Sequence, residues 1–371
     1  GPAKLSLRMA DQSSSFPLRP GTSKRLGPAK LSLSVADPSR IFLDVTYRCN
    51  ARCRFCSVTV NSLAKAHAKE MSTAEIKRIV AGFGSSKRKI SIGGGEPLLR
   101  PDIVEIVSYI KARGHECLLM TNGLLLTPEL AGRLLAAGLD KLAFSIHGSA
   151  AQHEAVLGRR GFYARLIKIV RAVGAVRKKT GTKLYLWCTI NRHNYLSLEK
   201  IARSLAALGP DRIHLNHVEY VSDRAAAETS AFWKKNFKGK CRARSSQGEA
   251  EGIDADKLLS EIRKVKALKL RNLFFYPRMT SREIRAWYDP EVVIWENRAC
   301  LGQWSNMTIA SDGEIISCQI LDEKLGNIRN RPYLAEYRGP AFSRFRAALK
   351  KNGGLFPACA KCGNVWNRCG L

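Results

Sequence analysis

The chain has 371 residues, 45% of them hydrophobic and 25% charged, which is the composition of a globular protein large enough for one big domain or a core domain with a smaller companion. No apolar run approaches the roughly eighteen residues that span a bilayer, and residues 1–40 hold no apolar core of signal-peptide length, so neither a helical membrane span nor a secretion signal is expected and the cytoplasm is the default location. A formal charge of +31 fits three readings: a surface that tracks nucleic-acid phosphates, a field for an acidic peptide or phosphorylated metabolite, or a solvated surface alone.

The first 40 residues read as a basic flexible tail, rich in Pro, Ser and Gly and carrying Lys4, Arg8, Arg19, Lys24, Arg25, Lys30 and Arg40. Its opening heptapeptide, Gly1 to Leu7, returns at Gly27 to Leu33, which suggests a local duplication or a start at Met9. No separate leader-peptide-binding domain is expected before residue 41.

From there the pattern alternates strand and helix. Ile41 to Val45 reads as a buried strand, and it runs directly into Thr46-Tyr-Arg-Cys-Asn-Ala-Arg-Cys-Arg-Phe-Cys56. Cys49, Cys53 and Cys56 are spaced x3 then x2, so one loop can wrap an inorganic cluster with three thiolates and leave one metal position open for a ligand. A structural zinc knuckle is the bland alternative. Of eleven cysteines, an odd number, eight fall in such clusters, which calls for reduced thiols and not for a disulfide framework.

Ser72-Thr-Ala-Glu75 is a capping box that opens a helix to Phe83. Strand two, Lys89 to Ile92, leads into Gly93-Gly-Gly-Glu-Pro97, where consecutive glycines let backbone approach a ligand and Glu96 can receive an ammonium group. A helix follows from Asp102 to about Arg113, then strand three, Glu116 to Met120, ending in Thr121-Asn-Gly123. The helix Thr127 to Ala137, strand Lys141 to Ser145, helix Phe162 to Lys179, strand Lys183 to Thr189, helix Leu196 to Leu208 and strand Arg212 to Val218 complete six alternations.

Such alternation predicts a parallel sheet with right-handed crossovers, curled into a partial or full barrel over residues 41–220. Ligands bind at the carboxyl ends of such strands, where the cysteine loop, the glycine loop, Asn122, Ser145 and Asn191 all fall. Residues 221–295 carry little motif signal and read as a linker and helical cover, with one helix from Asp254 to about Leu268. The basic cluster Lys234, Lys235, Lys238, Lys240, Arg242 and Arg244 lies here without interleaved aromatics, so a nucleic-acid partner is not favoured. Cys241 is a candidate hydrogen-atom donor, although an isolated cysteine is more often silent.

Residues 296–371 bring the second thiol set. Asn306 to Cys318 reads as a β-hairpin about Ser311-Asp-Gly313, bracketed by Cys300 and Cys318, and Cys359-Ala-Lys-Cys362 and Cys369 follow. By ligand type, zinc and an iron–sulfur cluster both remain open for this set.

The Cys-x3-Cys-x2-Cys loop with Phe55 before its third cysteine, followed by Gly94-Gly95-Glu96-Pro97, resembles the radical S-adenosylmethionine (SAM) superfamily. The terminal cysteines resemble the SPASM and twitch extensions of those enzymes. The resemblance implies an α/β fold, a radical SAM partial (β/α)6 TIM-like barrel with a small C-terminal SPASM/twitch-like β-hairpin plus helix iron–sulfur domain. It implies a 4Fe-4S cluster on Cys49, Cys53 and Cys56. SAM is then held by Phe55, Gly94, Gly95, Glu96, Pro97, Asn122, Ser145 and Asn191. One auxiliary cluster, 4Fe-4S by resemblance, falls to Cys300, Cys318, Cys359 and Cys362, with Cys369 competing for a place. The implied chemistry is SAM cleavage to a 5′-deoxyadenosyl radical and hydrogen abstraction from a peptide or protein side chain, leading to a crosslink, oxidation or epimerisation. Alternatives are a small polar metabolite such as a sugar, an RNA, or a non-catalytic cluster protein. The implied partners are a peptide or small-molecule substrate and a reducing protein such as flavodoxin or ferredoxin.

Overall fold

A computed structural model of the chain describes residues 35, 37–53, 55–56, 69–237, 241, 243–292 and 299–366. Residues 1–34 and 36 of the expected basic tail, and Cys369, lie outside the described residues, whereas Arg40, read as the end of that tail, begins the first strand. Ten strands form one sheet among those described, β1 Arg40–Thr46, β2 Lys89–Gly94, β3 Glu116–Thr121, β4 Lys141–Ser145, β5 Lys183–Ile190, β6 Arg212–His217, β7 Leu273–Tyr276, β8 Asn306–Ile309, β9 Glu314–Ile316 and β10 Lys324–Asn327. Their spatial order is β10-β9-β8-β1-β2-β3-β4-β5-β6-β7, with β1 to β7 paired in parallel in sequence order. Successive side chains of a strand point to opposite faces, and Ile41, Leu43, Val45, Ile90, Ile92, Leu119, Leu142, Phe144, Leu184 and Leu186, mostly at every second position, place one face of the sheet in the middle of the core.

Helices cross between the strands as the alternation predicts: α1 Thr73–Gly82, α2 Ile103–Ala112, α3 Pro128–Ala136, α4 Ala150–Leu157, α5 Tyr163–Val176 and α6 Leu198–Ala206. The capping box at α1 forms in both directions, Ser72 N donating to Glu75 Oε2 at 2.7 Å and Glu75 N to Ser72 Oγ at 3.2 Å. Helix α4 is not evident in the sequence periodicity, because its hydrophobic stripe is too short and too mixed to stand out from a loop.

Two features extend the six-unit reading. Residues 221–295, read as linker and helical cover, hold α7 Asp223–Asn236, α8 Ala255–Ala267, α9 Ser281–Tyr288 and a seventh parallel strand, β7, that pairs with β6 from Ile213↔Leu273 to Asn216↔Tyr276. Four residues, Leu-Phe-Phe-Tyr, are too short for a period to declare itself. At the other edge, β8 of the terminal hairpin pairs in parallel with β1, from Arg40↔Asn306 to Leu43↔Ile309. The thiol-bearing hairpin therefore continues the barrel's own sheet. Arg329 adds a bolt, its Nε donating to Glu75 Oε1 at 2.6 Å and its Nη1 to Asp312 O at 2.7 Å. No helix among the described residues is long and apolar enough to cross a membrane.

Candidate active site

The cysteine loop leaves the carboxyl end of β1 and is held from three sides. Gly95 N donates to Thr46 O at 2.7 Å and Glu96 N to Arg48 O at 2.9 Å, so the glycine loop after β2 is zipped by backbone to the first residues of the cysteine loop. This contact explains two of the glycines. A Cβ on Gly94, which sits at φ +103, would stand 2.3 Å from Thr46 O, and one on Gly95 would stand 2.1 Å from Arg48 O. On the opposite side Arg52 N donates to Leu157 O at 3.0 Å at the end of α4. Ala51 is buried with Leu124, Val156 and Leu157, and Cys53, Phe55 and Phe162 pack around them.

Glu96 is almost wholly buried, at 1% exposure. Its Oε1 accepts from Thr121 Oγ1 at 2.7 Å and Leu98 N at 3.1 Å, and its Oε2 from Asn122 N at 2.8 Å. Burial lifts its carboxyl above the ordinary carboxylate range, against the pull of those three donors. A carboxylate offers about four acceptor positions, and three are used within the protein. Glu96 thus ties the end of β2 to the end of β3. Asn122 carries the tie onward, its Nδ2 donating to Asn50 Oδ1 at 2.8 Å inside the cysteine loop.

Phe55 lies edge-on to His147, ring centroids 5.2 Å apart. His147 Nδ1 accepts from Thr189 N at 3.1 Å, and burial drives its ring down to about 3, so it is neutral and serves as an acceptor and a wall. Ser145 ends β4, half-buried and opposite Trp187. Asn191 is fully buried, with Nδ2 donating to Thr189 O and Oδ1 accepting from His193 N, each at 2.9 Å. Both ends of its amide are engaged in fixing the turn after β5.

Cys49, Cys53 and Cys56 stand together on this loop, Cys49 exposed and the other two half-buried. Burial and then the nearness of Cys56 and Cys49 push the Cys53 thiol up to about 12. Thiols crowded until they resist ionisation are a donor set that a cationic cluster would deprotonate, and the group fits. The second set is assembled from three stretches of chain. Cys300, Cys318, Cys359 and Cys362 are unbridged, burial raises all four thiols, and Cys300 and Cys318 raise those of Cys359 and Cys362 further. Among the described residues no three such donors stand close enough to hold a single metal ion, so these mutually interacting thiols suit the wider span of an iron–sulfur cluster better than one zinc. They are positioned by an aromatic knot of Phe232, Trp233, Phe237, Phe345 and Phe356, and by Ala358 N donating to Thr229 Oγ1 at 2.8 Å.

A cavity of about 280 Å³ is lined by Cys56 of the first thiol set together with Phe55, Thr189, Glu219, Tyr276, Ile320 and Arg244. Glu219 Oε1 accepts from Gly363 N at 2.8 Å, next to Cys362, and burial against the terminal loop raises its carboxyl. Asn216 Oδ1 and His217 Nε2, also from cavity-lining residues, are buried without a hydrogen-bond partner. Apart from the cysteine loop, these residues escape sequence reasoning. Asn216 and His217 end a predicted strand and so follow the strand-end rule, whereas Arg244 and Tyr276 sit in a region without motif. Cys241 is half-buried and does not line the cavity.

Residues 43–205 match the family model of the Radical SAM superfamily, and residues 300–363 match SPASM, an iron-sulfur cluster-binding domain. An AdoMet-dependent heme synthase of Nitratidesulfovibrio vulgaris is 27% identical over 334 residues, which cover 86% of this chain and 82% of that protein. A PqqA peptide cyclase of Ruegeria pomeroyi is 27% identical over 288 residues, 76% of this chain and 67% of its own. Streptococcus suis SuiB, solved with the precursor peptide SuiA, aligns at TM-score 0.63 and 16% identity over 90% of this chain and 75% of that one. Native anSMEcpe, solved with AdoMet and a peptide, aligns at TM-score 0.57 and 13% identity, covering 89% and 88%. At those identities the structural likeness is one of fold.

Proposed function

This chain is a radical SAM protein with a C-terminal SPASM domain, with a 4Fe-4S cluster, SAM and an auxiliary iron–sulfur cluster as its cofactors, and from that premise we propose that it modifies a side chain of a peptide or protein. The observation that carries the reading is one cavity lined both by Cys56 with its neighbour Phe55 and by Glu219, which is tied to the residue after Cys362. The likeness to a PqqA peptide cyclase supports a peptide as the substrate.

In this reading Cys49, Cys53 and Cys56 hold the 4Fe-4S cluster, and Cys300, Cys318, Cys359 and Cys362 the auxiliary one. When bound, the first cluster and SAM supply a 5′-deoxyadenosyl radical that removes a hydrogen atom from an unactivated carbon. The chain's own residues prepare the place. Gly94, Gly95 and Pro97 offer backbone to the cofactor, with Asn122, Ser145 and Thr189 at neighbouring strand ends. Glu96 and Asn191 act behind them, Glu96 by fixing the glycine loop to β3 and Asn191 by fixing the Thr189 turn. Phe55, backed by neutral His147, walls off water. Among the cavity's lining residues, Arg244 offers a cation to an anionic group of the substrate, and Glu219, whose Oε1 accepts from Gly363 N, offers its other oxygen to an N–H donor.

The test is anaerobic reconstitution followed by dithionite-driven SAM cleavage with three substrate pools: peptides, sugars and tetrapyrroles. Peptides should raise 5′-deoxyadenosine output and acquire a mass change. Stimulation by sugars or tetrapyrroles but not peptides would sink the peptide reading while leaving the radical SAM assignment intact.

A further inference from the structure

Resting on the radical SAM reading, we propose that Arg52, Arg159, Arg160 and Arg165 form a docking surface for an acidic one-electron donor protein, which delivers its electron to the cluster held by Cys49, Cys53 and Cys56. Arg52 lies between two of those thiols in sequence. The end of α4 is bonded to it through Leu157 O, and a Cβ on Gly158 would be 3.6 Å from Arg52 Cβ. Arg159 and Arg160 follow at once, and Arg165 is on the first turn of α5. All four are exposed, and none makes an ion pair with another described residue.

The anions nearby do not cancel them. Glu70 is taken by Arg48, with two contacts of 3.2 Å. Glu154 is turned onto backbone, accepting from Phe162 N at 3.1 Å and Tyr163 N at 3.2 Å. Glu249, which also acts on Cys53, faces His193 at 3.6 Å, so what remains is four guanidiniums on and beside the loop that must receive an electron from outside. A like-signed rim steers an acidic partner and sets its orientation, which matters for electron transfer because the rate depends on where the donor's centre comes to rest. The balance is one electron out of the donor's reduced flavin or iron centre and one into the cluster, with no bond made or broken. A nucleic acid fits the rim less well, because its nearest rings, Phe55 and Phe162, are half-buried and already packed, leaving no face for a base to stack on.

The experiment compares wild type with Arg159→Glu/Arg160→Glu and with Lys178→Glu/Lys179→Glu. The second variant makes the same charge change beyond the far end of α5. The probe is a dye-labelled bacterial flavodoxin, titrated into each anaerobically reconstituted protein at low salt and at about 1 M salt, where the Debye length is about 3 Å. Expected is salt-sensitive binding by wild type, weakened about 10-fold or more in the arginine variant and less than about 2-fold in the lysine variant. In reconstituted protein, flavodoxin-driven SAM cleavage should fall with binding, while dithionite-driven cleavage stays at the wild-type rate. Absent binding by wild type, equal weakening in both variants, or displacement of flavodoxin by bulk tRNA that binds more tightly to wild type than to the arginine variant would each overturn the proposal. Failure of dithionite to drive cleavage in wild type would count against the radical SAM chemistry, and the binding arm would still decide the docking surface.

Discussion

The two thiol sets are built in opposite ways. Cys49, Cys53 and Cys56 come from one stretch of eight residues, partly open to solvent, and their loop hangs from backbone bonds to the glycine loop and to α4. Cys300, Cys318, Cys359 and Cys362 come from three separated stretches, and they meet because a hairpin extends the barrel's sheet beyond β1 while an aromatic knot presses the Cys-x2-Cys turn against α7. The first site is therefore local chemistry placed at a strand end. The second is part of the tertiary core, so damage there should reach the fold before it reaches the chemistry.

The largest effect expected is on activity alone. Changing Cys49, Cys53 and Cys56 together to Ala should remove about four irons per chain and abolish 5′-deoxyadenosine formation, with the melting temperature within roughly 2 °C of wild type. The matching change of Cys359 and Cys362 to Ala should lower the melting temperature by on the order of 10 °C, read by calorimetry on reconstituted protein. Equal thermal losses in the two variants would break the contrast.

Gly95→Ala probes the joint between the loops. With 2.1 Å to Arg48 O the new Cβ has no room, and a cost of about 3 kcal/mol should appear as iron lost from the first site while the auxiliary cluster's spectrum persists. Glu96→Gln exchanges one carboxylate oxygen for an amine facing Asn122 N or Thr121, at a cost of about 2 kcal/mol by urea denaturation. A variant as stable as wild type would mean that Glu96 is free to serve the ligand instead of the scaffold.

The smallest effect concerns the bolt between hairpin and barrel. The guanidinium of Arg329 holds the Glu75 carboxyl at about 2, against an unpaired value of 4.5. The contribution is complete above about pH 4.5 and is lost as pH falls through 2. Glu75→Gln should thus be less stable than wild type near neutrality, and the gap should close in acid. A gap constant from pH 7 to pH 2 would remove the ion pair from the account.

Much of the barrel was legible because its signals are local. The strand Lys141 to Ser145 was read to the residue, the Ser72 capping box forms as its spacing requires, and the glycine loop stands where a strand end was expected. The losses share a cause. β7 has too few residues to show a period and becomes a strand only because β6 offers an edge. Arg244 and Tyr276 line a cavity formed by chain segments far apart in sequence, and nothing in their own neighbours marks them.

Residue spacing alone marked the thiol loop, the glycine loop and their common place at the carboxyl ends of parallel strands, since each is a short-range constraint on backbone and ligand. The terminal thiols Cys300, Cys318, Cys359 and Cys362, with Cys369 competing, were suggested by resemblance, without a view of how they meet. Only the tertiary structure decided that Glu96 and Asn191 have their polar atoms engaged within the protein, that the hairpin joins β1, and that Cys56 and Glu219 line one cavity. Those are outcomes of packing between distant segments, where burial and hydrogen-bond satisfaction choose among arrangements that the sequence leaves equal.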